Sequence, residues 1–211
     1  PTCKRLWQQI VRAKILAQAE NLEPDSGVRR KLVHLAAQVR SGDPENKEAQ
    51  AARLYWTAWL LAGPEPAADA DFRRDTDAPG INALLNYGYA VMRAAVARAI
   101  VAAGLHPTIG VHHRHRSNAF CLADDLMEPL RPIVDARVRE IIAEVEPELT
   151  QPVKAELLEL LTIEMQTGAF AGPLMVALHR YAASLVSVLE GHSRELSIPV
   201  RCNSPVTAAC G

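Results

Sequence analysis

Residues 110–129, GVHHRHRSNAFCLADDLMEP, bring imidazole, guanidinium and carboxylate groups together in a short length of chain. Asp125 and Glu128 are three residues apart, so in a helix their carboxylates share one face. His113 lies a loop's length before them. An imidazole and two carboxylates suit a divalent cation such as Mg²⁺ or Mn²⁺, and the neighbouring arginines suit an anionic substrate. The sequence therefore indicates phosphodiester chemistry.

The histidines of this stretch alternate with arginines, in the order His112, His113, Arg114, His115 and Arg116. At most one or two of the three imidazoles can coordinate one ion, and the arginines are also compatible with a solvated loop. The cluster directly precedes the carboxylates of residues 122–129. That position favours a functional site over a solvated loop.

A further carboxylate, Glu48, stands at the head of an apolar stripe formed by Ala52, Tyr55 and Trp59. Burying a carboxylate is costly unless a cation or a hydrogen-bonding group accompanies it. Near a helix N-terminus an acidic side chain can also stay in solvent, where it complements the helix dipole. The spacing leaves both interpretations open.

A polar seam runs along the helix predicted for residues 81–103, through Asn82, Asn86, Tyr89 and Arg93. Buried polar groups need hydrogen-bonding partners. A nucleotide, or support of a nearby metal site, would supply them. A network between helices would supply them equally well, with Gly88 allowing close approach, and the pattern does not decide between these alternatives.

Charge is unevenly distributed along the 211 residues, although the formal net charge is only −1. Between Asp77 and Asp124 there is no Asp or Glu, whereas the same interval contains four Arg and four His. Acidic residues gather between 140 and 164, in a pattern typical of a solvated helix face. A nearly neutral protein can still bind a polyanion through one positive face.

Several classes of protein are excluded by missing motifs. The four cysteines form no CxxC pair, which argues against a zinc knuckle or a disulfide framework and fits a reducing cytoplasm. We find no signal peptide and no apolar run long enough for a membrane span. No GxSxG, Walker or GxGxxG pattern is present, which removes the common hydrolase, ATPase and dinucleotide-binding classes.

Hydrophobic periodicity predicts an all-α fold with about seven helices. In the first, Leu6 and Ile10 lie on the apolar stripe and Lys14 lies off it, on a basic flank. Pro129 and Pro132 should kink or split the fifth. We expect one helical domain over residues 1–191 and a frayed tail over 192–211, with a short extended piece at 196–200. The helices are predicted at 4–21, 27–40, 45–61, 81–103, 122–145, 151–165 and 173–190.

Three segments in order, KEAQAARLYW, NALLNYGYAVMRAA and GVHHRHRSNAFCLADDLMEPLRPIVD, closely resemble the CRISPR-associated Cas-one integrase family. The segments KRLWQQIVRAKI and FRRDTDAPG are similar to the branch found in type II systems. The resemblance covers residues 4–138 and weakens after residue 140. Family members usually begin with a β-rich domain that dimerises, and we expect this chain to be the helical catalytic lobe without it.

The resemblance implies a metal-dependent DNA endonuclease and integrase that inserts new spacers into CRISPR arrays. In this family a Glu, a His and an acidic residue hold the catalytic Mg²⁺ or Mn²⁺. These correspond to Glu48, His113 and Glu128. Asp125 would be a support or an additional ligand. In integration, a 3′-hydroxyl attacks a phosphodiester at the repeat boundary.

The resemblance also implies partners. These are double-stranded DNA, as spacer precursor and CRISPR repeat, a small Cas-two family protein and, in the full-length family, a second copy in a homodimer. We expect phosphate contacts from Arg73, Arg74, Arg93, Arg114 and Arg116. Two other classes stay open: a non-catalytic helical fragment that binds DNA or protein, and a metal hydrolase of small phosphate compounds.

Overall fold

The computed structural model describes residues 2–61, 74–75 and 78–202. Within them the chain forms eight α-helices and one small antiparallel sheet, whose strand order is β2-β1-β3. No helix of this part is long and apolar enough to cross a membrane. The helices are α1 (Thr2–Glu20), α2 (Gly27–Gln38), α3 (Lys47–Leu61), α4 (Ile81–Ala102), α5 (Cys121–Met127), α6 (Arg131–Glu144), α7 (Gln151–Glu159) and α8 (Leu174–Leu189). The strands are β1 (Glu164–Thr167), β2 (Phe170–Pro173) and β3 (Val200–Arg201).

The mainly helical class is confirmed, and the seven predicted segments correspond to eight helices because one segment is divided. Helix α5 stops at Met127, a short 3-10 turn covers Glu128–Leu130, and α6 starts at Arg131. Pro129 and Pro132 cannot donate backbone hydrogen bonds, so the chain cannot continue as one α-helix here. The division that the prolines predict is therefore present, and Glu128 lies in it.

The helix predicted for residues 151–165 is wrong at its C-terminal end. Helix α7 ends at Glu159, and Met165 lies in β1, where it pairs with Gly172 and Arg201. Strands β1 and β2 form a hairpin closed by two residues, of which Gly168 has a φ of 59°. Glycine adopts this left-handed conformation readily, and two-residue hairpins require it.

The expected frayed tail is also wrong as far as residue 202. Gln9 Nε2 donates to the Arg194 carbonyl oxygen at 3.0 Å, and the Leu196 amide donates to Gln9 Oε1 at 2.8 Å. Strand β3 then pairs with β1, so the extended piece expected at 196–200 partly coincides with a strand. Side-chain bonds to α1 and strand pairing, neither of which periodicity reveals, hold this segment.

The segment from α5 through the 3-10 turn to α6 packs against α1 on one side and α4 on another. Leu6 and Ile10 of α1, Leu84 of α4 and Val134 of α6 are fully buried in the shared core. A Cβ on Gly88 would overlap Val134 Cγ1, so glycine permits the close approach of α4 to α6. This packing fixes where α1 and α3 stand relative to the turn that carries Glu128.

Candidate functional site

Glu48 is positioned by the cap that starts α3. The Lys47 and Glu48 amides donate to Asp43 Oδ1 and Oδ2, at 2.9 and 3.0 Å. Tyr55 and Trp59 on the same helix are fully buried, whereas the Glu48 side chain is 26 % exposed. Of the two interpretations of Glu48, the structure shows the one in which a cation accompanies the carboxylate, because Lys14 Nζ lies 2.6 Å from Glu48 Oε1.

Glu128 occupies the 3-10 turn between α5 and α6 and is buried. Arg131 Nη1 donates to Glu128 Oε1 at 3.1 Å, and Lys14 Nζ forms an ion pair with Glu128 Oε2. Burial by itself raises the pKa of this carboxyl, but the positive charges of Lys14 and Arg131 outweigh it and lower the pKa. Glu128 is therefore a buried and ionised carboxylate.

Lys14 joins the two carboxylates, and the prediction that it lies off the apolar stripe is wrong. The residue is only 8 % exposed, and its ammonium contacts both Glu48 and Glu128. Leu6, Ile10 and Lys14 are spaced by four, so all three lie on the buried face of α1. Burial lowers the pKa of Lys14, but Glu128 and Glu48 together raise it above its ordinary value. The ammonium is thus charged.

His113 is held by Asp125, whose side chain is fully buried. His113 Nδ1 lies 2.5 Å from Asp125 Oδ1, and the backbone amides of His112 and His113 donate to the same carboxylate at 2.8 and 3.2 Å. A Cβ on Gly110 would overlap the His113 carbonyl oxygen, so glycine allows the loop to fold this tightly. Asp125 therefore holds the histidine loop, and its role as support or additional ligand of a metal stays a prediction.

The orientation of the histidine ring leaves its Nε2 nitrogen free of Asp125. The hydrogen bond that His113 donates to Asp125 raises the pKa of His113 against the opposing effect of burial, and the charges of Asp125, Glu128 and Glu48 add to the rise. His113 is therefore electrostatically coupled to both glutamates. A carboxylate that fixes one imidazole nitrogen while the other stays available is typical of metal-binding histidines.

The ring of Trp7 packs against the histidine loop. Its ring stacks on His112, with centroids 4.0 Å apart and planes 5° apart, and meets His113 edge to face at 5.7 Å. Trp7 and Lys14 are seven residues apart on α1, so one face of this helix contacts both halves of the candidate site. The sequence analysis missed both residues, although the spacing of Lys14 from Leu6 and Ile10 was the available signal.

A third buried carboxylate, Asp135, joins the helices behind the site. Tyr55 of α3 donates to Asp135 Oδ2 at 2.9 Å, and Tyr89 of α4 donates to Asp135 Oδ1. Asn21 Nδ2 donates to the Tyr55 hydroxyl at 2.8 Å. Burial raises the pKa of Asp135 to about 6, despite the lowering effect of the two tyrosine hydrogen bonds. Tyr55 lies two turns beyond Glu48, so this network fixes the direction of α3.

The polar seam of α4 has partners from the protein itself. Arg74 donates to Asn82 Oδ1 at 2.6 Å and to Asn86 Oδ1. Tyr89 bonds to Asp135, and Arg93 Nε lies 2.7 Å from Asp124 Oδ1. Of the two alternatives, the structure therefore shows the network between protein elements.

The arginines expected to contact DNA differ in their surroundings. Arg114 and Arg116 are exposed on the loop, whereas the charge of Arg93 is balanced by Asp124. Arg74 is directed at α4, and Arg73 lies outside the described residues. Their roles in DNA binding stay predictions.

The donor set of Glu48, His113 and Glu128 fits a hard divalent cation in its chemistry, because it offers two carboxylates and one imidazole. Glu128 Oε2 is buried, and its contact in the described part of the chain is the ion pair with Lys14. Among the described residues, no three His, Cys, Asp or Glu side chains form a ready-made metal cluster. The ligand assignment therefore stays a prediction.

Comparisons with known proteins converge on one family. A family model described as "CRISPR associated protein Cas1" matches residues 2–150. The CRISPR-associated endonuclease Cas1 of Neisseria meningitidis serogroup C (strain 8013) is 38% identical over 205 residues, which cover 94% of this chain and 64% of that protein. CRISPR-associated endonuclease Cas1 2 of Pyrobaculum aerophilum is 34% identical over 158 residues, which cover 74% of this chain and 51% of that protein. The chain thus spans less than two thirds of these relatives.

Solved structures share the fold. A chain of "Casposase bound to integration product" superposes with a TM-score of 0.74 at 21% identity, covering 93% of this chain and 63% of that one. A chain of "Partial Cas6-RT-Cas1--Cas2 complex" gives a TM-score of 0.74 at 19% identity, with coverages of 94% and 68%. At these identities the likeness concerns the fold alone.

Replacing Asp125 by Asn should lower the pKa of His113 toward its ordinary value of 6.5, because the hydrogen bond that favours the charged imidazole is weakened. An NMR titration of the His113 ring in metal-free buffer measures this. Asp124→Asn is the matched control, since Asp124 pairs with Arg93 instead. A His113 pKa that is the same in wild type and Asp125→Asn would contradict the assigned hydrogen bond.

The raised pKa of Asp135 should make the free energy of unfolding depend on pH. Its carboxyl holds a proton up to about pH 6 in the folded chain but only to 3.8 when solvated. The folded state therefore binds more protons between these values, and the free energy of unfolding must fall as pH rises through them. Relative to Asp135→Asn, wild type should lose up to about 3 kcal/mol across this window and stay level above it. Urea titrations across the window test this, and parallel profiles would refute it.

Proposed function

The chain belongs to the Cas1 family of CRISPR-associated proteins, and from that premise we propose that it carries the DNA-cutting and strand-transfer site of a CRISPR integrase. The observation that carries the proposal is the meeting of Glu48 and Glu128 at one cation, beside a histidine that Asp125 orients. These groups come from three separate segments of the chain. Packing of apolar side chains would not by itself bring these ionisable groups together.

The metal ligands in this proposal are Glu48, His113 and Glu128, with Asp125 as support. When bound, Mg²⁺ or Mn²⁺ stabilises the negative charge that develops on a phosphodiester and on its leaving oxygen. Glu128 is already ionised because Lys14 and Arg131 lower its pKa. Asp125 holds His113 at Nδ1, which leaves Nε2 as the ring nitrogen that would bind the metal.

The substrate in this proposal is double-stranded DNA, whose phosphates contact the exposed Arg114 and Arg116 beside His113. Phosphate contacts give affinity and orientation without reading a base sequence. Arg93 contributes less free charge, because Asp124 compensates it. In integration, the 3′-hydroxyl of an incoming fragment attacks a phosphodiester of the CRISPR repeat held at this site.

The partners in this proposal are a Cas2 protein and a second copy of the full-length Cas1 protein. Two structures that share the fold of this chain support the proposal. One is described as a partial Cas6-RT-Cas1–Cas2 complex, and the other as a casposase bound to integration product. The described chain supplies the catalytic lobe, and the assembly positions two such lobes on DNA.

His113→Ala should abolish metal-dependent cleavage and strand transfer, with a loss of at least about a hundredfold, the scale on which removal of one charge-stabilising group acts. DNA affinity should change little, because a ligand of this kind acts mainly on the transition state. Cleavage and strand transfer are measured with a radiolabelled duplex that has a 3′-hydroxyl end, in the presence of Cas2 protein and Mn²⁺ or Mg²⁺. A gel-shift titration measures DNA affinity.

His112→Ala is the matched control, since that ring stacks on Trp7 and does not contact Asp125. It should keep most activity. Equal activity of His113→Ala and wild type would reject the metal site. Activity on nucleotide monophosphates combined with indifference to long DNA would instead identify a hydrolase of small phosphate compounds.

A further inference from the structure

Lys14 is a buried ammonium that contacts two of the three proposed metal ligands. Its nitrogen lies 2.6 Å from Glu48 Oε1 and forms an ion pair with Glu128 Oε2. A buried charge is tolerated only where opposite charge compensates it. Two carboxylates and one ammonium leave a net negative group, and Arg131 adds a second positive charge at Glu128 Oε1 alone. Lys14 is thus the cation shared by both glutamates.

The position of Lys14 conflicts with simultaneous binding of a divalent ion by the same oxygens. A direct metal ligand must approach the ion to roughly 2–2.5 Å. An ammonium within 2.6 Å of Glu48 Oε1 would then face a doubly charged ion across a single oxygen atom. At such a separation the repulsion between two cations is large in a partly desolvated site. One of the two must withdraw.

We infer that Lys14 is a resident cation that competes with the divalent metal for Glu48 and Glu128, and that metal loading requires its ammonium to leave the pair. This inference rests on the proposed function, because it concerns the same two ligands. The lysine stem has four carbons joined by rotatable bonds, so a change of side-chain rotamer would move the ammonium while α1 stays in place. In the absence of metal, the Lys14 ammonium bridges Glu48 and Glu128 and so holds the two carboxylates together.

The competition has a measurable consequence. A metal that binds only the fraction of molecules in which Lys14 is withdrawn shows a weaker apparent affinity, in proportion to that fraction. Removing the ammonium removes this penalty. Lys14→Met should therefore bind Mn²⁺ about tenfold or more tightly than wild type, although its two carboxylates then repel each other and the metal-free protein is less stable.

The experiment is a calorimetric titration of the whole chain with Mn²⁺ at pH 7.5. Lys14→Met and Lys14→Gln should both bind more tightly than wild type, and each should gain more thermal stability on Mn²⁺ addition. Lys14→Arg keeps a cation and should bind like wild type. Arg12→Met is the charge-matched control, because Arg12 is an exposed residue of the same helix. Unchanged or weaker Mn²⁺ binding in both neutral Lys14 variants would overturn the inference.

A measurement on the wild-type chain tests the same inference if the neutral Lys14 variants do not fold. Acetylation of Lys14 by an amine-reactive ester, followed by mass spectrometry, reports the exposure of its nitrogen. Mg²⁺ should accelerate this reaction at Lys14 and leave the exposed Lys31 unaffected. Acetylation of Lys14 that Mg²⁺ leaves unchanged or slows would overturn the inference.

Failure of the inference is distinguishable from failure of the proposed function. If Glu128→Gln binds Mn²⁺ as tightly as wild type, the proposed metal site is wrong. If Glu128→Gln loses Mn²⁺ binding but neither neutral Lys14 variant binds more tightly, the metal site stands and the competition by Lys14 is wrong.

Discussion

The contact of the Lys14 ammonium with Glu48 and Glu128 is the constraint on which the site depends. The two carboxylates come from α3 and from the turn after α5, and burial of Glu128 would drive protonation without a positive charge nearby. Pairing through Lys14 keeps both charges and brings α1, α3 and the turn to one point. The contact that stabilises the fold thus also assembles the two carboxylates that are the proposed metal ligands.

Two further buried carboxylates hold the surroundings of this contact: Asp125 holds the histidine loop, and Asp135 joins the helices behind the site. Asp125 accepts hydrogen bonds from the two backbone amides of the histidine loop and fixes the His113 ring at Nδ1. Asp135 accepts bonds from Tyr55 and Tyr89, and so fixes α3 against α4 and α6. Buried polar groups of this kind specify one arrangement when every partner is present. The direction of α3, and with it the position of Glu48, is therefore set in part by a network two turns farther along the same helix.

The sequence predicted the helices and the site residues to different degrees. Proline chemistry foretold the break at residues 128–130, and the motif order selected Glu48, His113 and Glu128, which stay candidates. Periodicity placed Lys14 off the apolar stripe, on a basic flank, because charged side chains are rarely buried without a partner. It also missed the hairpin after α7, where pairing with the distant β3 decides the conformation of Met165. Both misses concern partners that are far away in sequence.

The most direct test of this account is a crystal structure of the chain grown with Mn²⁺, with anomalous diffraction recorded at the manganese edge. The account predicts a manganese peak roughly 2–2.5 Å from oxygens of Glu48 and Glu128 and a ring nitrogen of His113. It also predicts that Lys14 Nζ has moved away from at least one carboxylate. Manganese bound only elsewhere, with Lys14 still bridging both glutamates, would contradict the account.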